Sequence, residues 1–204
     1  MIDSATTSRA AERRQQTAHQ LSSVCRRLTA ERGLSGFTVE EACAEVGVSR
    51  RTFFNYFPSK EEAVMGISED GAMHFLAEEF LRKGSRGWSA VLDDLVDLAA
   101  AHSATVGLGA DEHLELMRVI EREPRLLARF IGLSRERETQ VLELVAHREG
   151  VATSDVRARA AVDLFVAVIR STGDRLPQPD VAADFGAALH KTVAAMRSIL
   201  TTAS

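Results

Sequence analysis

The chain has 204 residues, 45% hydrophobic and 26% charged, with 25 Lys and Arg against 29 Asp and Glu for a net charge of −4. That length and apolar content support a sizeable core in one large domain or two small ones, and they exclude a chain disordered throughout. Only 4 Pro and few aromatics favour helix over sheet. No apolar run reaches the roughly 18 residues that a bilayer span needs, and residues 1–14 lack the apolar segment of a signal peptide. The expected location is the cytoplasm.

In chain order, residues 1–10 are small, polar and unpatterned, and are expected to form a disordered tail. From 11 to 32, Ala18, Leu21, Val24, Cys25 and Leu28 recur every three or four residues, and Gly33 ends the helix. Thr38 with Glu41 is a capping box that opens a helix to about Val46, and Gly47 supplies the turn. Ser49 caps a third helix over 50–57, which Pro58 breaks. A second capping box, Ser59 with Glu62, opens a helix expected to run unbroken over 61–83. Further helices follow at 88–102, 111–122, 124–148 with Pro124 in its first turn, about 154–170 capped by Thr153 or Ser154, and 180–200. Alternating β-branched strands are absent from this pattern. The reading is an all-α protein of about nine helices, divided into the tail 1–10, a three-helix unit over 11–58 and a helical body over 59–204.

Charge is uneven along the chain. Residues 1–60 carry a balance of +3, which leaves −7 for residues 61–204. A cationic amino end on an anionic body suits nucleic acid at one end. Cys25 and Cys43 are the only cysteines and lack CxxC spacing. Both fall on apolar stripes, so buried reduced thiols are expected, with a redox pair across two packed helices as the alternative.

Two short capped helices joined at Gly47 have the layout of a helix-turn-helix, which places its second helix in the major groove of DNA. Arg50 and Arg51 are candidate base readers, since a guanidinium pairs bidentately with guanine O6 and N7. Phe54, one turn on, can press on a thymine methyl. Thr52, Asn55, Tyr56 and Lys60 supply donors for phosphate oxygens. The backbone N–H groups near Thr38 and Val39, at a helix start, are a further phosphate site. Phe53 and Phe57, four apart, are expected to hold the helix on its core instead.

The run Gly47-Val48-Ser49, then Thr52-Phe53-Phe54-Asn55-Tyr56-Phe57 and Ser59-Lys60-Glu61-Glu62, resembles the signature of the tetracycline-repressor (TetR) family, over roughly residues 12–65. The resemblance implies a homodimer whose amino-terminal domains bind a palindromic double-stranded DNA operator, and a helical body that holds a small, largely apolar effector. By position, Thr38, Val39, Thr52, Asn55, Tyr56 and Lys60 match phosphate-contacting places of the family. Arg50, Arg51 and Phe54 match its base-reading places. The double arginine stands where family members vary, so an operator sequence does not transfer.

The family's four-helix dimer bundle would take Val162, Val166, Ile169, Phe185, Leu189, Val193 and Met196 as its interface, although such stripes equally suit an internal core. An effector pocket would draw on Met73, Phe75, Trp88, Met117, Phe130 and Phe165, with core packing as the alternative for each, and on His113, Glu115 and Arg118 for a polar ligand end, with a solvated helix face as their alternative. The run Leu114 to Arg122, Pro124 and Leu126-Leu127-Ala128-Arg129 is similar to members grouped with mycofactocin-type regulators, which implies an acyl-CoA-like ligand. GxSxG, HExxH, P-loop and Rossmann fingerprints are missing, and Asp111, Glu112, His113 and Glu115 read as a polar helix start rather than a metal site. A ligand-responsive regulator, a repressor by family default and without cofactor, metal or catalysis, is therefore expected. An architectural, ligand-independent DNA binder is the alternative.

Overall fold

Ten helices carry the described chain, and no strand occurs among the described residues. The computed structural model describes the backbone of residues 3–67, 72–106, 110–176, 178, 180, 181 and 184–201, with side chains for all of these except 3–12, 72–76, 104–106, 110, 200 and 201. The helices are α1 (Asp3–Arg32), α2 (Val39–Val46), α3 (Arg50–Phe54), α4 (Lys60–Met65), α5 (Ala72–Arg82), α6 (Trp88–Val106), α7 (Ala110–Arg122), α8 (Pro124–Glu149), α9 (Val156–Gly173) and α10 (Phe185–Thr201). No helix among the described residues is long and apolar enough to cross a membrane.

Several boundaries depart from the sequence expectation. Helix α1 begins at Asp3, so residues 3–10, expected as a disordered tail, continue the helical backbone. Helix α3 stops at Phe54, with Asn55 as its cap, rather than reaching residue 57. The expected unbroken helix over 61–83 is interrupted at Gly66. There the chain turns left-handed (φ 71°), the Gly66 N–H donates to the carbonyls of Ala63 and Glu62, and the Ile67 N–H donates back to Glu62. These bonds satisfy the last carbonyls of α4 and end it, which only glycine permits without strain. Helix α9 is capped by Asp155, not Thr153 or Ser154, because the Asp155 carboxylate accepts the Arg157 N–H at 2.8 Å.

The chain forms two compact units, 1–70 with 114–131, and 71–113 with 132–204. This differs from the expected division after residue 58, because α4 and the α7–α8 corner pack with the amino-terminal helices. In the first unit α1 packs on α2 and α4, and α2 on α3. Its fully buried side chains include Leu21, Cys25, Leu28, Phe53, Phe57, Ala63, Val64 and Leu126. Burial pushes the Cys25 thiol up to about 12, with Cys43 nearby adding to the shift, and burial raises Cys43 as well. At neutral pH both are therefore protonated thiols of low reactivity.

The α7–α8 corner is tied to the α1–α2 connection by its own polar group. Glu123 Oε1 accepts the Leu34 N–H at 2.9 Å. Lys60 Nζ donates to the Leu34 and Phe37 carbonyls at 2.8 and 2.7 Å. Glu62, itself buried, accepts the Ser59 hydroxyl and pairs with Arg129.

In the second unit α6 is central, packing on α5, α9 and α10. One apolar cluster joins Phe80, Val91, Leu95, Leu142, Val145, Ala158, Ala161 and Val162, and a second joins Val96, Val168, Leu189 and Val193. Between α5, α6 and the end of α8 lies a buried ionic group. Asp94, with no exposed side-chain surface, accepts from Arg148 Nη1 at 2.8 Å and Lys83 Nζ at 3.2 Å, and pairs with Arg86. The Arg148 guanidinium also lies 3.9 Å from the Phe80 ring centre. Burial by itself would raise the Asp94 carboxyl, but hydrogen bonds from Arg148 and Lys83 override it and hold the group below the usual carboxylate range.

Candidate nucleic-acid interface

Helix α3 exists because its ends are fixed. Ser49, in extended backbone, accepts the Thr52 N–H on its hydroxyl at 3.0 Å. On the other side of the turn, Gly47 closes α2 at φ 77°, and its N–H and that of Val48 both donate to the Cys43 carbonyl. A Cβ at Gly47 would meet nothing within 4 Å, so the strain of a Gly47→Ala change is purely conformational. It is expected to destabilise the protein by about 1–2 kcal/mol, read as a lowered melting temperature.

The two faces of α3 divide cleanly. Phe53 and Phe57 are fully buried, as the spacing predicts, with ring centres 5.9 Å apart and planes tilted by 55°. On the opposite side Arg50, Arg51, Phe54 and Asn55 are exposed. Arg50 sits 5.5 Å over the Phe54 ring, and its Nη1 is 2.8 Å from Glu40 of α2. Tyr56, half-buried, lies under the Arg14 guanidinium at 5.3 Å, and Arg14 also donates to the Asn55 carbonyl at 3.4 Å. Sequence reasoning missed both Glu40 and Arg14. The doublet Arg13-Arg14 in the first helix was a cue for Arg14, whereas Glu40 carries no cue until the two helices are placed side by side.

The candidate phosphate ligands are less uniform than their positions imply. Asn55 is exposed and Tyr56 partly so. The Thr52 hydroxyl is 2.8 Å from the Ser49 hydroxyl, inside the helix cap. The Thr38 N–H is committed to Glu41 at 2.7 Å in the capping box, which together with the Thr38 hydroxyl holds the Glu41 carboxyl below its ordinary range. Val39, half-buried, begins α2. Lys60 points its ammonium inward: with two carbonyls accepting from it and the Phe37 ring centre 4.6 Å away, it ties the α1–α2 connection to α4. An ammonium so placed satisfies two partly buried carbonyls.

The other expected sites are rearranged. Trp88 and Phe165, both partly buried, pack against one apolar cluster, with Arg157 4.9 Å over the Trp88 ring. Met117 and Phe130 belong to the first unit, while His113, half-buried, belongs to the second. The side chains of Met73 and Phe75 lie outside the described residues. A surface groove of about 300 Å³ opens between α1 and α2, lined by His19, Gln20, Ser23, Val24, Glu45 and Val46, and none of the expected pocket residues borders it.

Of the expected interface, Val162, Leu189 and Val193 are core residues of their own chain, and Ile169, Phe185 and Met196 pack against them. Their stripes are spent on α6. Val166, at 41% exposed, is the one member that faces outward. Among the described residues no group of three or more His, Cys, Asp or Glu gathers to hold a metal.

A family model described as bacterial regulatory proteins, tetR family, matches residues 23–64, and one described as the MftR C-terminal domain matches residues 88–201, over half the chain. The chain belongs to the TetR family. Its relatives are transcriptional regulators rather than enzymes. It is 35% identical over 147 residues to the HTH-type transcriptional regulator TcmR of Streptomyces glaucescens, covering 68% of this chain and 63% of that protein. It is 28% identical over 148 residues to MftR of Mycobacterium tuberculosis, a protein named for regulating mycofactocin biosynthesis, covering 72% of this chain and 73% of that one. The alignment thus spans just under two thirds of TcmR. In this TetR-family chain the first matched segment contains the whole of α2 and α3, and the second runs from the first residue of α6 to the last of α10.

Proposed function

We propose that the protein is a repressor that binds a palindromic operator as a homodimer and leaves it when a small, largely apolar effector binds. The observation that carries the reading is the split of α3, with Phe53 and Phe57 buried on one side and Arg50, Arg51 and Phe54 exposed on the other. Arg50, Arg51 and Phe54 read bases; Asn55, Tyr56 and Arg14 meet phosphates; Val39 offers the start of α2. Lys60, Thr38 and the Thr52 hydroxyl act instead by holding the unit's shape. Effector binding is read as acting through the α7–α8 corner, since Glu123 and Arg129 there bond to the α1–α2 connection and to α4. The break at Gly66 weighs against a single rigid α4 lever. An acyl-CoA-like effector rests on the likeness of the 114–129 run alone.

The dimer face is better sought on the side of α9 and α10 turned away from α6. Ala160, Leu164 and Ala167 on α9 are exposed, as are Ala194, Ala195, Ser198 and Ile199 on α10. Leu164 is 40% and Ile199 75% exposed. Small residues at helical spacing let two such helix pairs approach closely. In a mobility-shift assay with the DNA flanking its own gene, binding should weaken steeply with salt, because phosphate contacts release counterions. Leu164→Arg should give a folded monomer by sedimentation and bind the same DNA at least about tenfold more weakly, since half the contacts are lost. A dimer of unchanged mass in that variant would move the interface elsewhere.

A further inference from the structure

Glu40 has no part in the core or in a cap, and its one role described above is its ion pair with Arg50. It lies in the first turn of α2, and its Oε1 is 2.8 Å from Arg50 Nη1 across the turn, with the two side chains 57% and 66% exposed. The Phe54 ring centre, one turn along α3, lies 5.5 Å from the same guanidinium. Arg50 thus contacts both a carboxylate and an aromatic ring although it is largely in solvent. A free arginine carries considerable rotamer entropy, and less is lost on docking when the fork is already oriented. The pair engages Nη1 and leaves the Nε–Nη2 edge, whose two parallel donors match guanine O6 and N7.

We propose that Glu40 is a positioning and specificity-determining residue: it aims Arg50 at one guanine in each half-site, and its negative charge disfavours DNA that offers no such base. The second effect follows from electrostatics. A carboxylate beside a base-reading helix is repelled by every phosphate near it, a penalty that all sequences share, while only a correctly placed guanine repays it through Arg50. The proposal rests on α3 being the base-reading helix.

The test uses the full-length protein and a randomised duplex pool, with binding sites selected by wild type, Arg50→Ala, Glu40→Gln and the double variant. Affinities are then measured for the selected duplex, its single-base variants and an unrelated duplex. Glu40 is exposed, so all variants should fold, as circular dichroism checks. The expected result is a guanine in each half-site that Arg50→Ala no longer selects. In Glu40→Gln, discrimination at that same position falls by about two- to fivefold per half-site, the range for one exposed ion pair, while the unrelated duplex binds more tightly. In the Arg50→Ala background, Glu40→Gln should leave base preference unaltered. Unchanged discrimination in Glu40→Gln overturns the proposal, and so does a change at a position that Arg50→Ala does not touch, which would make Glu40 a reader itself. If Arg50→Ala keeps full selectivity, the base-reading assignment of α3 fails, separately from Glu40.

Discussion

Operator binding by Arg50→Ala and by Arg51→Ala is expected to fall by at least about thirtyfold, and by more than a thousandfold where the arginine makes a full bidentate pair. One such pair is worth about 1–3 kcal/mol of discrimination, and a two-fold symmetric dimer loses it in both half-sites at once. The side chains are exposed on the face of α3 opposite Phe53 and Phe57, so their removal leaves the core untouched. Melting temperature should therefore hold while affinity drops, and the loss should be greater on the selected operator than on unrelated DNA. Phe53→Ala is the contrasting change. It empties a fully buried site, and its effect on binding would come through unfolding, at about 3–5 kcal/mol. A mobility-shift titration beside a thermal melt separates the two. Retention of wild-type affinity by both arginine variants would remove α3 from the interface.

Asp94→Ala should be among the most destabilising single changes in the second unit. It strips the carboxylate that Arg148, Lys83 and Arg86 share and leaves Arg148, with only 1% of its side chain exposed, with Glu149 at 2.9 Å as its remaining counter-charge. Breaking a buried pair in this way costs about 3–5 kcal/mol, or on the order of 10 °C in melting temperature for a protein of this length. A double change that also replaces Arg148 by an apolar side chain should recover less than removal of an isolated pair would, because it takes the ion-pair partner from Glu149, whose side chain is 4% exposed. The same group sets a pH dependence. Its folded-state carboxyl is held below the usual range, so its stabilisation is fully present above the unfolded value near pH 3.9 and drains away as pH falls through the lower folded value. Denaturant melts of wild type and Asp94→Ala should therefore converge in strong acid. A constant gap between them would remove Asp94 as the source.

The amino-terminal region was legible because its signals are local. The capping box at Thr38, the Ser59 cap, Gly47 at the turn and Ser49 at the head of α3 each act within four residues, and all appear in the structure at those positions, although Glu62 bonds the Ser59 hydroxyl rather than closing a reciprocal box. Phe53 and Phe57 read as core from spacing alone and are fully buried. The break at Gly66 had a local signal too. Gly66 stands inside a strong helical pattern, and it serves as a left-handed cap.

Apolar periodicity, by contrast, told that a stripe is covered but not by what. Val162, Leu189 and Val193 form stripes at the right spacing and are covered by α6 of the same chain. Lys60 matched a phosphate-binding position and turned inward, because two carbonyls of the α1–α2 connection lie within its reach. The sequence determined the all-helical class, the helix-turn-helix and its exposed arginine face, since propensity, capping and the 3.6-residue repeat are fixed by neighbours along the chain. Which cations are spent inside, which stripes remain outside, and the grip of Glu40 on Arg50 were decided only by tertiary structure. Each of those depends on groups brought together from separate helices, whose distances no spacing along the chain encodes.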